Sequence, residues 1–525
     1  MHRRSLFAAS AAALARPALA QSGAARALKF VPNSDLTVLD PVFTAGFVTR
    51  LHALMVYDTL YGQDEHFQAR PQMVEGHRIE DDGKLWRLKL RDGLRFHDGE
   101  PVLAKDVVAS LRRWGRIDPF GQALMAATDE LSAGSDTEIR FRLKAPFPLL
   151  PDALGKSTAF LPVIMPERHA NTPNNRQVTE MVGSGPFRYL ANERVDGVRS
   201  VYEKFAGYVP RPEGTASFMA GPKIAHVGRV EWVTIPDDAT AAAALRQGEV
   251  DWWERPQTDY LATLRRSRDI NVEVIDRTGF MTIIRFNQLH PPFDNPAIRR
   301  ALLGVINQTD LMASVSGGDP ALADDKLGVF CPESPMANDA GLAVLTGPRD
   351  LGRARQELAA AGYRGEPVAF LTPTNNQAMN GLAEIAADSL RRAGMVVNLI
   401  PLDFGAWLQR RNNREPPERG GWSATASFLP GTDMWDPAGH LAIRGNGNQA
   451  WSGWPTAPRL EELRKAWFAA SDEASRKAIC RQIQEQVWQD VPYIPGGRWW
   501  QPTAYRKNLT GVLRGAPLFY NVRMG

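Results

Sequence analysis

Few residue patterns in this 525-residue chain match a known reaction site. The run Gly155-Lys156-Ser157 matches the end of a phosphate-binding loop. Such a loop also needs a glycine five positions before Gly155, where this chain has Leu150. The run Gly445-Asn446-Gly447 with Ala450 has the spacing of a dinucleotide-binding turn, yet Trp-Ser-Gly-Trp-Pro follows where a helix is required. Both matches therefore predict loops rather than nucleotide sites.

Hydrolase and metal chemistry are equally poorly represented. Neither a Gly-x-Ser-x-Gly nucleophile turn nor a His-Glu-x-x-His zinc motif occurs, and the nine histidines are scattered along the chain. His97 lies in a predicted turn, where a surface imidazole is a more common role than a base or a metal ligand. The sequence predicts no catalytic residue, no metal site and no cofactor.

The first twenty residues have the features of an export signal. Arg3 and Arg4 precede a small-residue apolar run, and Ala18-Leu19-Ala20 offers a cleavage site before Gln21. The arginine pair followed by Ser-Leu-Phe resembles a twin-arginine signal, and this export route and the general route both stay open. No cysteine stands directly after the cleavage site, where a lipid anchor would be attached. We therefore expect a free periplasmic protein whose signal peptide is removed near Ala20.

The charge balance gives no reason to expect a nucleic-acid partner. The net charge of +4 includes three arginines of the leader, which has no acidic residue, so the mature chain keeps about +1. A dense stripe of basic residues, which such binding requires, is absent. The short basic run Arg410-Arg411 with Arg414 predicts a solvated helix end.

A strand, a turn and a helix are predicted between Trp86 and Trp114. Trp86, Leu88 and Leu90 alternate with basic residues, which is the period of a half-buried strand. The dipeptide Asp92-Gly93 predicts a turn. Four apolar residues at the spacing of one helical face then indicate a helix that begins near Pro101 to Lys105: Val107, Val108, Leu111 and Trp114.

Elsewhere, predicted strands and helices alternate irregularly without a sequence repeat, which favours mixed α/β lobes over a solenoid or a single barrel. Asn295 before Pro296 predicts a helix start. A second helix is predicted from Asn376 to Gly394, with a strand after it. The segments 207–222, 317–348 and 414–421 are rich in Pro and Gly and predict long loops.

The amino-acid sequence from Trp86 to Trp114 resembles the corresponding segment of the family 5 bacterial extracellular solute-binding proteins, the peptide-binding components of ABC importers. One departure is that family members usually carry Ser or Thr and an acid around this helix start, where the chain has Leu103 and Lys105, which weakens the capping box. Further similar runs follow in the family's order and extend the resemblance over nearly the whole mature chain: 182–187, 248–251, 291–295 with 298–302, and 433–437.

The resemblance implies an α/β fold of the periplasmic-binding-protein type II class, with two main lobes, a hinge and a small inserted third lobe. After the signal peptide at 1–20, lobe I would comprise 21–66, 181–283 and 488–525. Lobe II would be the insertion at 67–180, and lobe III would span 284–487. Crossovers near Arg285 to Asn287 and Gln489 to Tyr493 would form the hinge, around which the lobes close on a ligand.

The resemblance also implies eight ligand-binding residues. Asp433 matches an acid that pairs with the ligand's ammonium group in peptide-binding relatives, although it could instead only close a turn. Trp435 lies in the same run. Trp253 and Glu254 occupy positions where the chain of related proteins enters the cleft. The remaining four match a loop that approaches the ligand through its backbone: Thr44, Ala45, Gly46 and Phe47.

One expected binding group is missing. Dipeptide-binding relatives place an arginine one turn before the position of Ala383-Glu384, where it takes the ligand carboxylate, but this chain has Asn380 and Gly381 there. Either longer peptides bind through backbone contacts, or the ligand is not a peptide. A disulfide between Cys331 and Cys480 also stays open, since two cysteines fix only one pairing and their separation is unknown.

We therefore predict a monomeric periplasmic substrate-binding protein without enzymatic activity. It would capture a small peptide or peptide-like solute between two lobes and deliver it to the membrane subunits of an ABC permease with their ATPases. Nickel chelates, opines, sugars and glutathione-like molecules are alternative solutes. An exported hydrolase and a chaperone-like sensor are the alternatives from other functional classes.

Overall fold

The computed structural model describes residues 26–525. The predicted signal peptide and its cleavage site near Ala20 lie outside the described residues. Within the described part, none of the helices combines the length and the apolar character needed to cross a membrane.

The chain forms strands and helices along its whole described length. The strands are β1 Leu28–Val31, β2 Tyr61–Gln63, β3 Ala69–Pro71, β4 Val74–Glu80, β5 Leu85–Leu90, β6 Thr128–Ala133, β7 Glu138–Leu143, β8 Phe187–Tyr189, β9 Arg199–Lys204, β10 Arg229–Val233, β11 Trp252–Trp253, β12 Ile270–Glu273, β13 Phe280–Phe286, β14 Ala323–Asp324, β15 Val368–Pro373, β16 Val397–Leu402, β17 Ala424–Pro430, β18 Tyr493–Trp499, β19 Thr503–Arg506, β20 Leu509–Thr510 and β21 Arg523–Met524. The helices are α1 Phe47–Val56, α2 Ala104–Trp114, α3 Pro119–Ala127, α4 Leu150–Gly155, α5 Glu167–Ala170, α6 Asp238–Gln247, α7 Thr258–Arg266, α8 Pro296–Ala301, α9 Gln308–Ser316, α10 Ala343–Thr346, α11 Leu351–Ala360, α12 Gln377–Arg392, α13 Phe404–Arg411, α14 Pro458–Ala469 and α15 Glu473–Asp490.

Three sheets organise these elements. A seven-stranded sheet has the order β12-β19-β11-β1-β10-β9-β8, a six-stranded sheet the order β14-β18-β13-β17-β15-β16, and a four-stranded sheet the order β4-β5-β7-β6. The seven-stranded sheet draws strands from the beginning, the middle and the end of the chain, which is the discontinuity that the predicted lobe I requires. The division into three lobes itself stays a prediction.

The predicted crossover positions are wrong. Arg285 and Tyr493 are paired across β13 and β18 inside the six-stranded sheet, where both are buried. Strand β18 therefore belongs to this sheet, although the predicted lobe I resumed at 488, and β13 begins at Phe280 rather than after 284. The chain passes between the two large sheets at 274–279 and 500–502, and these crossovers touch, because the Trp500 indole donates to the Arg277 carbonyl over 2.8 Å.

The unit predicted from Trp86 to Trp114 is confirmed as β5 and α2, but its turn is not a surface feature. His97 is buried: its Nε2 lies 3.0 Å from the Gly185 carbonyl oxygen, and its Nδ1 accepts from the Gly183 amide at 3.2 Å. The prediction of a surface imidazole is therefore wrong. Burial lowers the pKa of His97 to about 4, so the ring is a neutral packing element.

Local helix signals are confirmed where a side chain caps the helix. The Asn295 carboxamide accepts from the Ala297 amide at 2.9 Å, and Asn376 accepts from Met379 at 3.1 Å. Leu103 gives α2 no side-chain acceptor, but the Asp106 carboxylate accepts from the Leu103 amide at 2.9 Å. Half of the capping box is therefore present.

The basic run near 410 ends a helix as predicted; Arg414 is exposed, whereas Arg410 and Arg411 are partly buried. The Arg411 Cζ atom lies 4.7 Å from the Trp407 ring centroid and 4.9 Å from that of Trp451. Arg414 lies 5.1 Å from the Trp454 ring centroid. Each guanidinium thus covers an aromatic face, which a count of charges cannot reveal.

The two cysteines do not form a disulfide. Cys331 and Cys480 are both buried and free. Burial raises the pKa of both thiols well above the usual value. They are therefore neutral, unreactive core side chains.

A buried ion pair connects the loop before α1 to α2. Two Arg113 nitrogens donate to the two carboxylate oxygens of Asp40, at 3.0 and 2.7 Å, and both side chains are almost completely buried. Asp40 also accepts from the Val178 amide at 2.8 Å. This carboxylate thus fixes α2 and the segment near 178 to the start of the chain.

We expect buried histidines to make the protein sensitive to acid. His440 is fully buried, with Nε2 3.1 Å from both the Val329 carbonyl oxygen and the Tyr493 hydroxyl, and burial lowers its pKa from 6.5 to about 3. The unfolded chain binds a proton here near pH 6.5 and the folded chain does not. The stability that this site contributes is therefore present above pH 6.5 and is lost progressively as the pH falls toward 3.

Urea denaturation at pH 7.5 and 5.5 checks this expectation. The loss of unfolding free energy between the two pH values should be smaller in His440→Gln than in the wild type by about 1.4 kcal/mol. The exposed His66→Gln serves as the control and should lose as much as the wild type. Equal losses in all three proteins would show that His440 does not resist protonation.

Candidate functional site

A buried ion pair joins the two large sheets. The Arg50 Nη2 atom lies 2.8 Å from the Asp433 Oδ2 atom, and the two side chains are only 6% and 8% exposed. Arg50 is on α1, which packs against the seven-stranded sheet, and Asp433 follows β17 of the six-stranded sheet. The pair therefore forms where a binding cleft between the sheets is expected.

The turn that carries Asp433 is held against the first crossover. It is a 3-10 turn at Gly431–Met434, and the Gly431 amide donates to the Gly279 carbonyl over 2.8 Å. A Cβ atom at position 431 would lie 2.3 Å from the Thr278 carbonyl oxygen, so only glycine fits. The second Asp433 oxygen accepts from the Ala159 amide at 3.2 Å. This carboxylate thus contacts two other segments of the chain, and its turn contacts a third.

The predicted ligand loop from Thr44 to Phe47 lies beside this ion pair. The Thr44 hydroxyl accepts from the Gly46 amide at 3.1 Å, which shapes the entry into α1. Ala45 is exposed at the loop's tip. Together with Arg50 and 159–161, Thr44 to Gly46 border a narrow gap that has no room for a water molecule. The Nε atom of Arg50 is buried at this point and has no hydrogen-bond partner among the described residues.

A second arginine lies in the same region. The Arg255 Cζ atom is 4.4 Å from the ring centroid of Phe47 and 4.5 Å from that of Phe280, at the start of β13. Its Nε lies 3.1 Å from a Glu254 oxygen, and its side chain is 10% exposed. Arg50 approaches the same Phe47 ring, with its Cζ atom at 5.4 Å from the centroid. Loss of hydration lowers the pKa of Arg255, but the guanidinium stays charged.

Glu254 belongs to this site and Trp253 does not. The other Glu254 oxygen accepts from the Asn33 amide at 2.8 Å, so the buried carboxylate is shared between a backbone donor and Arg255. The Trp253 ring is buried in an apolar core with Tyr260, with ring centroids 6.2 Å apart. The position of this ring does not support its predicted role in lining the cleft.

Trp435 lies at the edge of the site. Its ring packs at a tilt of 39° against Phe67 with the centroids 4.3 Å apart, and its carbonyl oxygen accepts from the Ser334 hydroxyl. Asp436 accepts from the Ala438 and Gly439 amides, at 2.8 and 3.2 Å. It therefore caps a turn, which a short 3-10 helix at Leu441–Ile443 follows.

The position where dipeptide-binding relatives are expected to carry an arginine holds no cation. The Asn380 carboxamide accepts from the Thr372 hydroxyl at 2.8 Å and donates to Glu384 over 2.9 Å. Its polar atoms are thus used within the six-stranded sheet's own layer.

The structure brings together the Thr44–Phe47 loop, Asp433 and Glu254, and it adds two arginines that the sequence reasoning did not identify. Arg50 is the one residue with a permanent charge in a largely apolar helix, FVTRLHALMV, which is a signal for a charge with a specific partner. Arg255 directly follows Glu254 but carries no such local signal. In the described part of the chain, no three His, Cys, Asp or Glu side chains are grouped so as to hold a metal ion.

Comparison with known proteins gives a consistent result. Residues 68–438 match the model for bacterial extracellular solute-binding proteins, family 5 (middle). A probable peptide ABC transporter periplasmic-binding protein of Sinorhizobium fredii is 34% identical over 530 residues, which cover 99% of both chains. The glutathione-binding protein GsiB of Pectobacterium atrosepticum is 26% identical over 97% of this chain and 96% of its own.

Two solved structures share the architecture. AgaA of A. tumefaciens, in complex with agropinic acid, superposes with a TM-score of 0.79 at 20% identity, covering 95% of this chain and 99% of its own. DppA of Helicobacter pylori, in complex with the peptide STSA, gives 0.78 at 21% identity, covering 95% and 98%. At this level of identity the likeness shows the fold, and the predicted type II periplasmic-binding-protein architecture is confirmed.

We expect the Arg50–Asp433 pair to couple the two sheets energetically. Asp433→Leu leaves a buried guanidinium without its counter-ion, which should lower the free energy of unfolding by about 3 kcal/mol. The double variant Arg50→Met with Asp433→Leu removes both charges and should recover most of that loss. Urea denaturation of the wild type, both single variants and the double variant gives the coupling energy.

The exposed pair Arg188–Glu203 offers a matched control. The same cycle of variants there should give a coupling near zero, because water screens both charges. A coupling at Arg50–Asp433 as small as at this surface pair would mean that the ion pair does not hold the sheets together.

Proposed function

Because the chain belongs to the family 5 bacterial extracellular solute-binding proteins, we propose that it captures a peptide or peptide-like solute and delivers it to an ABC importer. Its membrane partners would be the permease subunits and their ATPases. We further propose that it acts as a monomer, is exported to the periplasm, and carries out no bond chemistry.

The observation that carries this proposal is the position of the charged groups between two sheets that only two chain crossovers connect. Arg50, Asp433 and Arg255 lie at this junction, and each has a partner or a ring from the opposite side. A solute bound here would contact both sheets at once. It would therefore favour the closed arrangement, since a ligand shifts an equilibrium only by its difference in affinity for the two states.

The nature of the solute is supported by the relatives' names. The relative with 34% identity is named for peptides, GsiB for glutathione, and the H. pylori structure holds a peptide. Asp433 is already paired with Arg50, and Asn380 offers no cation, so neither end of a simple dipeptide meets the expected partner. This favours a peptide-like compound, and it keeps a non-peptide solute such as an opine as the second candidate, because AgaA was solved with agropinic acid.

A ligand panel tests the proposal on the mature protein. We expect one class among tri-alanine, glutathione, agropinic acid, a disaccharide and a nickel–histidine complex to raise the melting temperature and to change tryptophan fluorescence. A ligand at 100 times its dissociation constant stabilises the folded state by about 2.7 kcal/mol. Small-angle scattering should show a smaller radius of gyration with the bound ligand.

The Asp433→Asn variant should bind the same ligand more weakly, whereas the exposed Arg188→Gln should bind it like the wild type. Release of a cleaved product, detected by mass spectrometry, would instead identify an exported hydrolase. If no member of the panel binds and nothing is cleaved, peptide-like solutes are excluded as the cargo.

A further inference from the structure

The guanidinium of Arg255 has hydrogen-bond donors that no group among residues 26–525 uses. Its Nε faces Glu254, but its two terminal nitrogens make no hydrogen bond within the described part of the chain. The Arg255 side chain is 10% exposed, and none of its nitrogens is among the fully buried atoms without a partner, so these donors reach solvent at the junction. They are therefore available to an acceptor that enters there.

The two aromatic rings decide which acceptor fits. The centroids of the Phe47 and Phe280 rings lie within 4.5 Å of the Arg255 Cζ atom, so aromatic rings pack against the guanidinium, and the N–H groups along its edge are the part that can bind an acceptor. Two parallel N–H groups along one edge match the two oxygens of a carboxylate. Because the rings come from α1 and β13, this edge opens at the junction of the two large sheets.

A second unused donor lies nearby. Arg50 and Arg255 both approach the Phe47 ring, so their Cζ atoms are within about 10 Å of each other. The Arg50 Nε atom is buried without a partner next to the gap below the Thr44 loop. Two guanidinium groups this close repel one another, and an anion placed between them removes that repulsion.

The acids of the junction do not take up these donors. Asp433 is held by Arg50 and the Ala159 amide, and the second oxygen of Glu254 by the Asn33 amide. The first oxygen of Glu254 lies 3.1 Å from the Arg255 Nε atom, which leaves the two terminal nitrogens unused. Asp276, on the first crossover, accepts from the Thr278 amide and hydroxyl at 2.9 and 2.7 Å rather than from Arg255.

We propose that Arg255 binds a carboxylate of the transported solute along its free edge, with Arg50 as a second donor to the same anionic group. The proposal rests on the proposed function, since it needs a solute that enters the junction. It names the chemical class: the cargo is an anionic, carboxylate-bearing compound, and its recognition depends on that carboxylate more than on an ammonium group.

Paired probes separate the two ends of a peptide. Isothermal titration with tri-alanine, tri-alanine amide and N-acetyl-tri-alanine compares loss of the carboxylate with loss of the ammonium. We expect tri-alanine amide to bind the wild type at least tenfold more weakly than tri-alanine itself, which is the free acid. The affinity of N-acetyl-tri-alanine should be within threefold of that of the free acid. In Arg255→Gln, the acid and the amide should bind within twofold of each other.

The wild-type comparison needs no variant, so a folding defect in Arg255→Gln does not remove the test. Arg255→Lys keeps the charge but loses the two-donor edge, and should lower the acid-to-amide ratio severalfold. The exposed Arg188→Gln should keep the wild-type ratio. If wild-type protein binds acid and amide equally tightly, importer function stands and the carboxylate site is wrong.

Succinate provides a probe that does not depend on peptide binding. At matched ionic strength, succinate should raise the melting temperature of the wild type relative to sodium chloride, and should not do so in Arg255→Gln. If succinate acts in this way and no peptide binds, the carboxylate site stands and the peptide cargo is excluded. If neither peptides nor succinate bind, both proposals fail.

Discussion

The arrangement of this protein depends on a buried guanidinium that must have a counter-ion. Arg50 lies inside the molecule on a largely apolar helix, and within the described residues 26–525 the carboxylate paired with it is that of Asp433. Removing two charges from water is costly, and their attraction repays the cost only when the geometry is good and the remaining polar atoms are satisfied. The ion pair therefore constrains the α1 entry loop, the turn after β17 and the segment at Ala159 to meet at one point. The unused Arg50 Nε shows that the compensation is incomplete without a further group.

The two crossovers explain why such a contact can be both specific and reversible. The large sheets share no strand, and the chain connects them only at 274–279 and 500–502. Glycines permit the close approaches there: Gly279 packs against the Trp499 carbonyl and Gly431 against Thr278. The interface between the sheets is then made of side chains and turns rather than of ladder hydrogen bonds. Separating it costs an ion pair and a few aromatic contacts, which a solute can replace.

Local signals in the sequence predicted much of the fold. The alternation of β5, the apolar face of α2 and the capping asparagines of α8 and α12 all depend on neighbours within a few residues. The crossovers were misplaced because β13 and β18 are buried along their whole length, so no change of pattern marks where one sheet ends. For Trp252 and Trp253, alternation shows that the rings point to opposite faces but not which face meets a cleft. The partner of Asp433 lies 383 positions away, beyond the reach of any local pattern.

The bidentate pair between Asp40 and Arg113 has a mechanical consequence. It fixes α2, and with it the layer against the four-stranded sheet, to the loop that precedes α1. The same layer also contacts the helices of the six-stranded sheet, because the rings of Phe120 and Phe147 lie 5.7 and 6.2 Å from that of Phe468 on α14. The Asp40–Arg113 pair therefore anchors one side of this layer to the start of the chain, whereas its other side is held by aromatic packing that has no directional bond.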